Sequence, residues 1–328
     1  MLGRAVTVIA IVLTFVAGGV ARAQAAALPA PMAQLDRDAR RLAARLPAPS
    51  AVEVLDLSTG YHTGVNAGAS MPAASTIKVP VMVEVFSQLE AGRFDLSHRV
   101  ALRASDKDYG SGDLCDAPVG SSYAVSDLLE RMIGVSDNTA TNMLIRLVGR
   151  SRINATMRDL GLQRTTLAAD IRTGGWGIRQ QLRTSAGDLV RLLALMAHRR
   201  LIDEWSSGEM IAILERDQIN TLLPKPLPGD VPIAHKTGSF FDTLNDAGIV
   251  YADDAPYVIA VMTTALPSQN LGRQFIHTIS RMAYADEVRL AAWRESSGIV
   301  FPGASGSGAS ASPDLRYWNT GLGEGSGG

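Results

Sequence analysis

Pro72-Ala-Ala-Ser75-Thr-Ile-Lys78-Val-Pro80-Val-Met-Val-Glu-Val-Phe86-Ser-Gln-Leu89 is the stretch where the chain changes its period. Ile77, Val81, Met82, Val85, Phe86 and Leu89 recur at helical spacing, and Gly92 closes the pattern. Pro80 suits a first helical turn, where its missing N–H has no partner to lose. Upstream the period is two. Ala51-Val-Glu-Val-Leu-Asp-Leu57 alternates like a strand, Ser58-Thr-Gly60 turns, and a second strand runs near Tyr61 to Asn66. A helix at residues 32–46 lies between the proline pairs Pro29/Pro31 and Pro47/Pro49.

Downstream come helices near Val125 to Ile133, Asn138 to Val148, Arg152 to Leu160 and Ser185 to Ala197. Ser206-Ser-Gly-Glu209 reads as a capping box for one more, carrying Met210, Ile211 and Leu214. Strands return at Ile233 to Ser239, Ala247 to Tyr251 and Tyr257 to Thr263, and a helix from about Asn270 to Trp293 follows. This order predicts an α+β fold. One antiparallel sheet is built from both chain ends with flanking helices, and an all-helical subdomain is inserted at about residues 76–225. A cleft between the two parts is a natural binding site.

The bulk numbers narrow the function classes. The 328 residues are 46 % apolar, enough for a sizeable core. A net charge of −1 without a Lys/Arg block excludes a nucleic-acid footprint. Only Lys78, Lys107, Lys225 and Lys236 are lysines. Cys115 is the single cysteine, read as a small semi-buried residue, and no Cys/His cluster has zinc-like spacing, so neither a metal nor a cofactor is called for. Arg4, the apolar run Ala5 to Val20 and Ala21-Arg22-Ala23 read as a signal peptide over residues 1–23, with a mature start at Gln24; an uncleaved anchor is the competing reading. The expected product is a periplasmic or secreted monomer without stable membrane insertion. Its single catalytic domain spans residues 24–295, and the Gly/Ser-rich tail at 296–328 is expected to be disordered.

Three short motifs carry chemistry: Ser75-Thr-Ile-Lys78, Ser136-Asp137-Asn138, and Lys236-Thr237-Gly238 followed by Ser239. A serine hydroxyl is a poor nucleophile until a base takes its proton. Residues three apart share a helix face, so Lys78 stands beside Ser75. Burial or a second cation, for which Lys236 is the candidate, lowers a lysine pKa enough to make it a base. A helix start also favours developing negative charge. Ser136 can relay a proton, and Asn138 can hold Lys78 and a substrate amide. Thr237, Ser239 and Lys236 suit a substrate carboxylate, and a strand through them offers a sheet edge to an extended peptide. Singly the motifs are weak, since Ser-Asp-Asn serves equally as a helix N-cap. Together, in this order, they arise by chance on the order of once in ten thousand sequences.

The set resembles class A β-lactamases and the related penicillin-recognising serine D,D-peptidases. Pro72 through Pro80, Val135 through Asn142, and His235 through Ser239 with Asn245 to Val250 share the likeness, which covers about Ala51 to Arg294. The resemblance implies a β-lactam or acyl-peptide substrate. It also implies catalytic roles for Ser75, Lys78, Ser136 and Lys236, and substrate contacts from Asn138, Thr237, Gly238 and Ser239. It implies an oxyanion hole from the backbone N–H groups of Ser75 and Ser239, and sets Tyr109 as either a lip residue or an ordinary surface aromatic. One departure stands out. These β-lactamases carry a loop glutamate that activates the deacylating water, and no glutamate occurs between Glu130 and Glu204 here. Asp170 is the candidate deacylation base, with a salt bridge to Arg172 or another arginine as the alternative. The readings left open are a β-lactamase, a D,D-peptidase or esterase, and a covalent penicillin-binding sensor. A Ser-His-Asp triad is disfavoured, because there is no G-x-S-x-G and His235 reads as a strand residue.

Overall fold

The computed structural model describes residues 28–174 and 178–297; the expected signal segment and all but the first two residues of the expected tail lie outside them. In chain order the elements begin with α1 (Ala30–Arg45), β1 (Ser50–Asp56), β2 (His62–Val65), β3 (Met71–Pro72) and α2 (Lys78–Glu90). Then come β4 (Arg99–Ala101), β5 (Ser122–Ala124), α3 (Val125–Gly134), α4 (Asn138–Val148), α5 (Arg150–Asp159), β6 (Thr166–Leu167), α6 (Ile178–Gln181) and β7 (Leu182–Thr184). The last are α7 (Ala186–Ala197), α8 (Glu204–Leu214), β8 (Ile233–Phe240), β9 (Thr243–Ala252), β10 (Ala255–Thr263) and α9 (Gln269–Ser297).

Five strands form one antiparallel sheet in the order β2-β1-β10-β9-β8, so the chain's beginning and end meet at its centre. Side chains alternate between the two faces of each strand, and both faces are covered. Val52, Val54, Tyr257, Ile259 and Val261 pack with Leu35 of α1 and Phe275, Ile276 and Ile279 of α9. Ala51, Leu55, Val258, Ala260 and Met262 join the core under α7 and the inserted helices. Coverage on both sides explains why all of β1 is buried although its sequence alternates, and why β10 is apolar without a break from Tyr257 to Met262.

Within the insertion, α2 is buried from Lys78 through Phe86. A helix apolar all round belongs in a core, and α3, α4, α5 and α8 surround it. Truncating Met82 there costs about 2–5 kcal/mol. The insertion is not purely helical: its β6 and β7 form a small sheet with β3, which lies just before it, and β4 pairs with β5. The start of α8 also departs from the sequence reading. Asp203 is its N-cap, accepting the Ser206 N–H at 2.7 Å, and Ser206 lies inside the helix. Finally, α9 runs through Ser297, two residues into the expected tail.

Candidate active site

Ser75 sits in a single 3-10 turn, Ala74–Ile77, that leads directly into α2. Two contacts press this turn against the sheet. Asn245 on β9 donates from Nδ2 to the Pro72 and Ala73 carbonyls at 2.9 and 3.1 Å. Gly238 on β8 lies so close that a Cβ there would stand 3.0 Å from Ala73 O and 3.1 Å from Ser75 N. A side chain there would crowd the turn's backbone, so glycine suits this close approach. Ala74, just before the serine, holds φ +47°, a left-handed conformation costing roughly 1–3 kcal/mol for an L-residue.

One turn on, Lys78 is fully buried. Its Nζ is hydrogen-bonded to Ser136 O (2.5 Å), Ser136 Oγ (2.9 Å) and Asn138 Oδ1 (2.8 Å). Burial pushes the ammonium well below the usual lysine value and the Lys236 charge pushes the same way, against the pull of Asp137, Asp108 and Asp217. Among the described residues no hydrogen bond joins Nζ to Ser75 Oγ. The second motif serves two purposes at once. Asp137 caps α4 by accepting the Ala140 N–H at 2.8 Å, while Ser136, held at φ +58°, and Asn138 flank Lys78.

The third motif lies on β8, the sheet's edge strand. Lys236 is buried and pairs with Asp217 at 3.2 Å. Burial lowers its pKa and Asp217 opposes that shift. His235 is buried, bound through Nδ1 to Asp246 (3.0 Å) and through Nε2 to Asn220 Oδ1 (3.0 Å). Burial alone would lower its pKa, but Asp246 outweighs that and the net shift is upward. His235 is thus a structural strand residue, not a base facing the cleft.

A cleft of about 370 Å³ opens over Ser75, with Ser136, Asn138, Thr237 and Ser239 in its walls. Lys236 stands behind this wall; among the described residues, Arg273 of α9 is the cationic side chain in the lining. Tyr109 is 73 % exposed and does not line the cleft, although its neighbours Gly110 and Ser111 do. Asp170 is also outside: its carboxylate, 43 % exposed, pairs with Arg150 (3.3 Å) and Arg172 (3.6 Å). The loop reaches the cleft through Ile171 and Thr173; the Ile171 backbone N–H and carbonyl are both held by the Asn142 side chain, at 2.8 and 3.0 Å. Sequence reasoning gave no role to Asp108, Asn142, Asp217, Asn245 or Arg273. Only the need of a buried lysine for a counter-charge could have pointed toward Asp217.

A sheet closed by both chain ends, an inserted helical part, and a cleft lined by Ser75, Ser136 and the Lys236 strand with Lys78 buried against Ser136 define the fold of β-lactamases and penicillin-binding proteins. The chain belongs to the beta-lactamase enzyme family, whose model matches residues 34–286. It is 22 % identical over 235 residues to beta-lactamase CARB-3 of Pseudomonas aeruginosa, spanning 70 % of this chain and 81 % of that one. Among solved structures, PBP-A is 30 % identical with TM-score 0.74, covering 78 % of this chain and 96 % of its own. A beta-lactamase from Sphaerobacter thermophilus is 28 % identical with TM-score 0.72, covering 78 % and 97 %. A PBP-A variant with a leucine replaced by glutamate has been solved as an acyl-enzyme complex with penicillin G.

Proposed function

We propose that the chain is an exported serine hydrolase that opens β-lactam amides through an acyl-enzyme on Ser75 and releases the acyl group slowly. The observation that carries this reading is the buried Lys78, its pKa lowered by burial and Lys236, one helical turn from Ser75. Neutral Lys78 takes the Ser75 proton as Oγ attacks the lactam carbonyl. The backbone N–H groups of Ser75 and Ser239, on either side of the Gly238 approach, receive the oxyanion. The C–N bond then breaks, and the nitrogen takes the Ser136 hydroxyl proton. Of the three groups around Nζ, only Ser136 Oγ carries a proton it can pass on, and Lys78 resupplies it. Arg273, Thr237 and Ser239 are placed for a substrate carboxylate.

Release needs a water and a base within hydrogen-bond reach of the ester. Ile171 supplies no base, and Asp170 is engaged with two arginines outside the cleft. That same observation favours a second reading, a penicillin-binding D,D-peptidase or sensor that acylates and barely turns over. The position of β8 at the sheet's edge suits an acyl-peptide for either reading. Export through residues 1–23 as a monomer completes the proposal; recovery of Met1 on membrane-bound protein would contradict the cleavage. Nitrocefin turnover separates the readings. A burst equal to the enzyme concentration followed by a slow steady rate is expected, fast linear turnover without a burst contradicts slow release, and a burst with no further turnover supports the sensor.

A further inference from the structure

Helix α4 carries a polar stripe at every fourth residue: Asn138, Asn142 and Arg146. Each binds the segment that precedes the second motif. Arg146 reaches the Asp106 carboxylate with Nε and Nη2, both at 2.9 Å. Asn142 donates to the Asp106 carbonyl at 3.0 Å while also holding the Ile171 backbone. Asn138 donates from Nδ2 to Asp108 Oδ1 at 2.8 Å.

Asp108 is the hub of this arrangement. It is only 6 % exposed, although it comes from a loop. Its oxygens also accept the Thr173 N–H at 2.8 Å, the Thr173 hydroxyl at 3.0 Å and the Gly110 N–H at 3.0 Å. The two loops are in direct contact, since a Cβ on Gly110 would fall 2.1 Å from Thr173 Cγ2. A carboxylate only accepts. It therefore fixes which way the Asn138 amide points: Nδ2 faces Asp108, and Oδ1 is left to face Lys78 Nζ.

We propose that Asp108 is a positioning residue for acylation, orienting Asn138 toward Lys78 and tying the cleft wall at Thr173 to the same point. The proposal rests on the reading of Ser75 as nucleophile and Lys78 as base. Burial works to raise the Asp108 pKa, but the bonds from Thr173, Asn138 and Gly110 outweigh it and hold the carboxyl below the usual range, so it stays ionised in working conditions. The other charges acting on Lys78 are Lys236 on β8, Asp217 after α8 and Asp137 at the start of α4. Lys236 opposes the Lys78 charge; Asp108, Asp137 and Asp217 support it.

The test is the rate of acylation by a fluorescent penicillin against pH, with the mature chain and its Asp108→Asn and Asp108→Ala variants. Asn keeps an acceptor for Asn138 but removes the charge. Its plateau should fall less than that of the Ala variant, and its acid limb, which reports Lys78, should move to lower pH by about half a unit or more. Ala removes the acceptor, so the plateau should fall about tenfold or more. A purely structural role predicts loss in proportion to the folded fraction, read by circular dichroism, with an unmoved acid limb. An unmoved acid limb in Asp108→Asn overturns the proposal, as does an unchanged plateau in folded Asp108→Ala; if the Ala variant does not fold, the Asn variant decides. Ser75→Ala, run alongside, must lose the label: label retained there contradicts the nucleophile itself, whereas label lost there with unaltered Asp108 variants overturns the positioning role alone.

Discussion

Two clusters of charged side chains are buried toward opposite ends of the sheet's strands, and they accommodate their burial by different routes. At the Gly238, Asn245 and Ala51 end, Lys78 and Lys236 are interleaved with Asp108, Asp137 and Asp217, and the donors and acceptors find each other. At the other end, where Asp56 of β1 pairs in register with Tyr257 of β10, Asp286 and Glu287 of α9 complete a cluster of acids. There Arg289 pairs with Asp286, but neither Glu287 oxygen nor the Tyr257 hydroxyl has a hydrogen-bond partner among the described residues. Burial, and then the Asp56 charge, push the Glu287 pKa well up; the protonated acid can donate to Asp56. Burial thus acts in opposite senses on the two chemistries, raising carboxyl and lowering ammonium pKa values. A carboxyl made neutral is an acid, but Glu287 does not line the cleft; a lysine made neutral is a base, and Lys78 is bonded to Ser136 and Asn138, which do. The first cluster is therefore the one positioned for proton transfer to a bound substrate.

If the lysine cluster depends on its counter-charges, Asp217→Ala should be the most damaging single change. It strands Lys236 in the interior, and urea unfolding should show a loss of about 3–5 kcal/mol. A loss under about 1 kcal/mol, the ordinary surface range, would mean water reaches Lys236 after all. Removing the base comes next. Lys78→Ala should slow acylation by about two orders of magnitude. In wild type the rate should rise with pH through a Lys78 value below that of an ordinary lysine; an acid limb near pH 10 would contradict the lowered pKa.

Among the described residues no carboxylate lines the cleft at the lysine end, and this too can be probed. Ile171→Glu places one in the lining, on a backbone that Asn142 already holds, and should shorten the adduct lifetime about tenfold or more. An unaltered lifetime would show that more than a base is missing. The smallest effect belongs to the acid cluster. Because the folded Glu287 pKa is raised, its contribution is fully present below the unfolded value and is lost as pH rises toward the folded one. Wild-type stability should therefore decline above about pH 4.5 more steeply than that of Glu287→Gln. The stability difference should therefore shift in the variant's favour as pH rises; identical pH profiles would show that Glu287 ionises freely.

The long elements were legible because their periods are sustained: β1, α2, α4, β10 and α9 all fall within a few residues of expectation. Strands of two or three residues, such as β3, β6 and β7, have no period to read. The α8 cap was misplaced because Ser206 and Glu209 mimic a capping box while Asp203, three residues earlier, does the capping. In the site, the residues in short motifs were visible, but their partners were not. Asp108 and Asp217 come from loops and meet Asn138 and Lys236 only after folding, 30 and 19 residues away in sequence. Asp170 shows the converse: proximity along the chain suggested a base, and the arginines around it were the better guide.

The central claim is that Ser75 becomes acylated, and intact mass spectrometry after brief incubation with penicillin G tests it most directly. Wild type should gain the mass of one whole penicillin G molecule, mapping to the peptide that contains Ser75, and Ser75→Ala should gain nothing. An adduct on any other residue, or one that survives in Ser75→Ala, would contradict the account.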